Sequence, residues 1–176
     1  NDFFQPGTQP DPTGLDLSPI LASTNCEVCH GEYLDPPSFE EPWDGWSSSL
    51  MAQSARDPIW YAALAIANQD AHDAGEYCIR CHSPGAWLGG RSLPSDASGF
   101  VNTGSSNDFE GVTCHFCHRS VNPILEVDSP VEDDSILADL GLPLGWTSWV
   151  PANGRYIVDP DDVRRGPYED IAITPE

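Results

Sequence analysis

Lysine is missing altogether from this chain, and positive charge is scarce. Seven Arg stand against 28 Asp and Glu in 176 residues, for a formal net charge of −21. That balance excludes the basic footprint by which proteins hold nucleic acid, and an anionic membrane surface would repel the chain for the same reason. It selects cationic or metal-bearing partners; a solvated acidic surface, as in a saline habitat, is the plainer reading of the same charge. No run of about 18 apolar residues occurs, so no membrane-spanning helix is expected. No signal peptide is visible, and a start at Asn1 without Met is consistent with prior cleavage. Hydrophobic residues make up only 39%, thin for a self-sufficient core, while 17 Pro and 15 Gly imply many turns and few long elements. Something other than side chains is expected to fill the interior.

What is present is a set of six cysteines in three Cys-x-x-Cys pairs with none left over, each followed at once by His. The motifs read Cys26-Glu27-Val28-Cys29-His30, Cys78-Ile79-Arg80-Cys81-His82 and Cys114-His115-Phe116-Cys117-His118. This spacing suits covalent attachment of haem c. Two thiols add across the two vinyl groups on one porphyrin edge, two intervening residues span that edge in a tight turn, and the next residue, His, lies under the iron as proximal ligand. Zinc also uses Cys-x-x-Cys, but two pairs make one site, a third is then orphaned, and zinc does not ask for His after each pair. A disulfide across a two-residue gap closes too small a loop to stabilise much, and a thioredoxin-like redox pair expects a βαβ context that is not legible here. With five His in 176 residues, three chance placements after three pairs have a probability of roughly 2×10⁻⁵. Three haems are therefore expected. As large, flat, mostly apolar bodies they also supply the missing interior.

Three haems present six axial positions. His30, His82 and His118 take three as proximal ligands, and only His72, His115 and the single thioether, Met51, remain as distal candidates. Asp57 is a good N-cap and Pro58 suits the first helical position, so a helix is expected over Ile59–Asp73, stopped by Gly75. On it His72 shares a face with Tyr61, Leu64, Ala65 and Asn68 that can lie against a porphyrin; a surface His at a helix C-terminus is the bland alternative. His115 lies inside the third motif and points away from its own iron, so a neighbouring haem is its expected target, against a filler role. Met51 sits in a short, partly helical segment, Ser47–Ala55. It is either a sixth ligand, which would raise the potential of its haem, or ordinary packing. If Met51 does not ligate, one haem is five-coordinate or takes a His from a second subunit.

Along the chain, residues 1–24 read as an extended N-terminal arm, 25–120 as the three-haem domain, and 121–176 as a haem-free C-terminal segment. Within the last, 136–140 suggests a helical turn. Trp146–Val150 and Arg155–Val158 suggest two strands of a hairpin around Pro151-Ala152-Asn153-Gly154. Asp159-Pro160-Asp161-Asp162 forms an acidic loop whose carboxylates are a candidate Ca²⁺ site. The expected fold class is mainly irregular and α: short helices and loops wrapped round a chain of three c-type haems, with a small β-hairpin near the C-terminus.

Beyond the motifs, the run from Trp46 through Met51, Ala55-Arg56-Asp57-Pro58 and Leu64 to Cys78, then Cys81-His82-Ser83-Pro84, Trp87-Leu88 and Gly111-Val112, resembles one large group of bacterial multihaem c-type cytochromes. The likeness covers about residues 25–120, with a weaker echo at Asp159–Tyr168. In longer relatives the Arg164-Arg165-Gly166-Pro167 type of segment precedes further haem motifs. The resemblance implies haem c, a periplasmic or extracellular location, and electron transfer to redox partner proteins or extracellular acceptors. It is also similar in style to cytochromes that assemble as homo-oligomeric helical filaments, whose subunits lend a His to the next haem. The ligand shortage and the unstructured arm fit that style. The expected role is thus an electron carrier rather than an enzyme, with no catalytic residues. The alternative is a reductase or its electron-transfer subunit with one five-coordinate haem, for which few acid–base groups are on offer.

Overall fold

A computed structural model of the chain describes residues 7–11, 13, 19–31, 33, 34, 41–103, 106–121, 131–139 and 154–166. The fold is built of short helices joined by loops, as expected. Helix α1 spans Thr24–His30, α2 Pro42–Ser47, α3 Leu50–Gln53, α4 Pro58–Asp70, α5 Gly75–His82, α6 Pro84–Leu88, α7 Cys114–His118 and α8 Val131–Asp139. Among the described residues the only sheet is a two-stranded antiparallel ribbon, β1 (Asn102–Thr103) with β2 (Ser106–Asn107), Asn102 facing Asn107. No helix among the described residues is long and apolar enough to cross a membrane.

The one long helix, α4, starts as expected: the Asp57 carboxylate accepts from the Ile59 amide at 2.9 Å and Pro58 occupies the first turn. It ends three residues sooner than Asp73. The Asn68 side chain accepts from the Gly75 amide at 2.9 Å and from the Ser95 hydroxyl at 2.8 Å, and donates to the Ser95 carbonyl at 2.8 Å. These bonds fold the chain back after Asp70, Asp73 takes φ 59°, and α5 begins at once. His72 therefore lies in the turn, not on the Leu64 face.

Trp60, Leu64, Ile79, Ala86, Trp87 and Ala97 form the main buried cluster, with Tyr61, Cys78, Leu88, Phe100 and Tyr156 packed against it. Full burial of each large side chain is worth about 1.5–3 kcal/mol. A second cluster joins Ile20, Phe116 and Val158, and a third Val121, Leu137 and Ile157. Two of the seven Arg make internal bonds to the core. Arg91 makes a two-bond fork to the buried Asp108, at 2.8 and 2.9 Å, while Arg119, also buried, donates to backbone carbonyls of Pro19 and Asp159.

Described parts of the N-terminal segment lie on this body. Thr8 donates its amide to the Tyr156 carbonyl at 3.0 Å, and Asp11 its amide to Leu88 at 3.1 Å. Trp146–Val150, the first strand of the expected C-terminal hairpin, lies outside the described residues. Its second half runs beside the end of the third motif: Ser120 pairs with Val158, Val121 donates to the Ile157 carbonyl and Asp159 to that of Arg119. The helical turn expected at 136–140 belongs to the longer α8.

Candidate haem-attachment site

All three Cys-x-x-Cys-His motifs lie on short helices, α1, α5 and α7, so each pair of sulfurs and the following imidazole emerge along one short helix. The six cysteines are free thiols, and Cys29 and Cys117 are exposed. Thr113 caps α7 by accepting from the Phe116 amide. The Ser23 hydroxyl, just before α1, accepts from the Cys114 amide at 3.1 Å and so ties the starts of α1 and α7 together. The consequence is that Cys26 and Cys114 hydrogen-bond to each other, which pulls the Cys114 thiol down to about 6 and pushes that of Cys26 up. Burial pushes Cys78, Cys81 and Cys117 up.

Two of the three proximal histidines are gripped twice by the chain. His82 donates from Nδ1 to the Ser54 carbonyl at 2.9 Å, and the Ser54 hydroxyl donates back to the His82 carbonyl at 2.8 Å. His118 donates from Nδ1 to the Arg165 carbonyl at 2.6 Å, and the Arg165 amide donates back to the His118 carbonyl at 2.6 Å. A carbonyl can only accept, so Nδ1 carries the proton and Nε2 keeps its lone pair. This is the tautomer and orientation that an imidazole needs to bind a metal. Trp60 adds a stacked ring on His82, 5.1 Å between centroids with planes 12° apart. His30 has no such carbonyl partner among the described residues.

The distal candidates fare differently. His72 is exposed over 94% of its side chain, and only Nδ1 is engaged, with the neighbouring Asp73 at 2.8 Å. Met51 lies on α3, 49% exposed. His115 is buried, and both its nitrogens are occupied: Nδ1 accepts from the Leu21 amide at 2.7 Å and Nε2 donates to the Asp162 carboxylate. Burial lowers its pKa, against the pull of Asp162. Burial pushes Asp162 up, but the hydrogen bonds from His115 and Arg164 outweigh it and hold the carboxyl below its ordinary value. An iron could take Nε2 of His115 only by displacing Asp162. In the acidic loop, Asp162 thus serves His115, and Asp159 pairs with Arg165 at 2.8 Å; among the described residues no cluster of donors suited to a metal ion forms.

Sequence reasoning missed Ser54, Arg165 and Gly154, which together with Tyr156 hold the attachment turns from a distance. Gly154, at φ 76°, brings the returning chain against the second motif. A Cβ there would sit 2.8 Å from the Cys81 sulfur, and the Gly154 carbonyl accepts from Arg80 Nε. Only this glycine carries a signal in the sequence, as the end of the Pro-Ala-Asn-Gly turn.

The donor set fits haem c. Sulfur pairs stand on helical turns, each is followed by an imidazole, and two of those imidazoles present a free Nε2. Three large apolar side chains, Val28, Leu50 and Ile59, are 84, 88 and 77% exposed.

Residues 43–119 match the family of cytochrome c554 and c-prime. The match spans α2 to the end of α7, with the second and third motifs inside it and the first outside. It supports a c-type cytochrome with covalently bound haem c, hence haem-based electron transfer, and c-type cytochromes typically work in the periplasm or outside the cell. Neither the curated proteins nor the solved structures contain a match to this chain.

Proposed function

We propose that the chain holds three haem c groups and passes electrons between them outside the cytoplasm, from a redox partner protein to another protein or an extracellular acceptor. Haem, when bound, supplies the reversible ferric–ferrous couple. The chain's own residues attach it through Cys26 and Cys29, Cys78 and Cys81, and Cys114 and Cys117, and ligate it through His30, His82 and His118. The observation that carries this reading is the double grip on His82 and His118, which leaves Nε2 free on the imidazole after a sulfur pair. Contact between Cys26 and Cys114 supports a first and a third haem that are neighbours, as rapid transfer requires. Mass spectrometry of the denatured protein should find three covalently attached haems. Six thiols that remain free to alkylation would overturn the reading.

The engagement of His115 favours a second element. With it held by Leu21 and Asp162, the chain's own supply is three proximal histidines plus His72 and Met51, or five ligands for six positions. The missing ligand comes either from a second copy of the chain, as in a filament, or from nothing, which leaves an open iron able to bind a small substrate. A high-spin ferric signal in electron paramagnetic resonance (EPR) of the dispersed monomer that vanishes on assembly supports the filament. One that persists in the assembled protein supports the catalytic alternative.

A further inference from the structure

Tyr156 lies in the segment that carries no haem-binding residue, yet it touches two attachment turns at the same place in each. Its hydroxyl donates to the Arg80 carbonyl at 3.1 Å, and its ring receives the Arg80 guanidinium 4.8 Å above its centroid. Its other contact is edge-on to Phe116, 4.8 Å between centroids and 84° between planes. Arg80 is the second residue between the cysteines of the second motif, and Phe116 is the second residue between those of the third. Both are buried. Trp87 closes the far side, 4.0 Å from the Arg80 guanidinium and 6.2 Å from the Tyr156 ring. The backbone of Tyr156 is itself anchored, since its carbonyl accepts from the Thr8 amide at 3.0 Å. The corresponding residue of the first motif, Val28, is exposed and meets nothing of the kind.

We infer that Tyr156 is a positioning residue that sets the separation and mutual tilt of the second and third haems, by acting as a spacer between their attachment turns. The inference rests on the reading that both motifs carry haem. Side chains between the cysteines lie directly behind the thioether edge of the porphyrin, so a wedge between Arg80 and Phe116 fixes how close those two edges come. A ring held on three sides and pinned by its hydroxyl and its backbone is a stiff wedge. The first haem, lacking such a wedge, takes its place from the Ser23 and Cys26 contacts with α7 instead.

The test uses the full chain with its haems attached and the variants Tyr156→Phe, Tyr156→Leu and Tyr156→Ala. Haem number is counted first by mass. A wild-type protein with fewer than three haems brings down the proposed function, separately from this inference. With three haems attached, the readouts are the magnetic interaction between ferric haems in EPR and the interaction potential between them in a redox titration. Tyr156→Phe should keep the second-to-third interaction, because the ring remains. Tyr156→Ala should lose it while the first-to-third interaction stays. If the Ala variant does not load, Tyr156→Leu, which fills the site without the planar ring, carries the same expectation. Wild-type interaction in Ala or Leu overturns the inference. So does equal loss of both haem pairs, which would mark a general structural role.

Discussion

The first attachment turn and the other two are chemically alike and physically unlike. Helix α1 buries none of its residues, its proximal His30 has no carbonyl grip among the described residues, and Val28 stands in the open. Helices α5 and α7 each place residues in a core: Ile79 and Arg80 in one, His115 and Phe116 in the other. Their histidines are held at two points each, by Ser54 and by Arg165. The attachment motif is thus the same at all three turns, while among the described residues the fold orients the imidazole at two of them. A gripped imidazole is a stronger and more rigid base toward iron, so the second and third haems should have narrower, lower potentials than the first.

The largest expected effect tests that contrast directly. Cys26→Ser with Cys29→Ser and, separately, Cys78→Ser with Cys81→Ser should each leave two haems by mass. The second variant should lose more stability, by about 2 kcal/mol or more in denaturant unfolding, because α5 is central to the main apolar cluster and α1 is not. Equal losses would erase the distinction between held and unheld turns.

Next in size is Gly154→Ala. The left-handed backbone at φ 76° and a Cβ placed 2.8 Å from the Cys81 sulfur combine strain with overlap, together worth about 1–3 kcal/mol. The damage should be local. Haem attachment at the second motif should fall, as seen by peptide mass mapping, while the first stays fully loaded. Loss at all three motifs would mean that Gly154 serves the whole fold rather than the second turn.

These residues also show what the sequence carries and what it does not. The attachment turns were legible because thioether chemistry fixes their spacing within five residues, and the start of α4 because Asp57 and Pro58 act on the adjacent turn. The end of α4 was not, since Asn68 is diverted by Ser95, 27 residues away. The same holds for the grips. Ser54 meets His82 across 28 positions, and Arg165 meets His118 across 47, through backbone carbonyls that any residue type offers. His115 looked like a spare ligand by count. Its partners, the Leu21 amide and Asp162, lie 94 and 47 positions off, and only the fold reveals them.

A smaller effect separates the second haem from the third by charge. Arg80 is buried between Trp87 and Tyr156, and burial lowers its pKa, with Tyr156 and other neighbours pulling the other way. A guanidinium beside the second attachment turn favours the reduced, less positive iron. Arg80→Gln should therefore lower the second haem's midpoint potential by tens of millivolts in a spectroelectrochemical titration and move the first less. A uniform shift of all three would place the charge in the general field of the protein instead.

The smallest expected change concerns His115. Asp162→Asn keeps an oxygen that can accept from Nε2 but removes its charge, so the bond weakens from charge-assisted to neutral at a cost of about 1 kcal/mol. Leu21 still donates to Nδ1, which keeps the proton on Nε2 and the ring in place. If His115 is held for structure, the EPR spectrum of the loaded protein should be unchanged while thermal stability falls slightly. If the ring passes to iron once the carboxylate lets go, a high-spin signal should convert to low-spin in the variant alone. In that event Asp162 competes with iron for one nitrogen, and the coordination of a haem beside the third turn is adjustable.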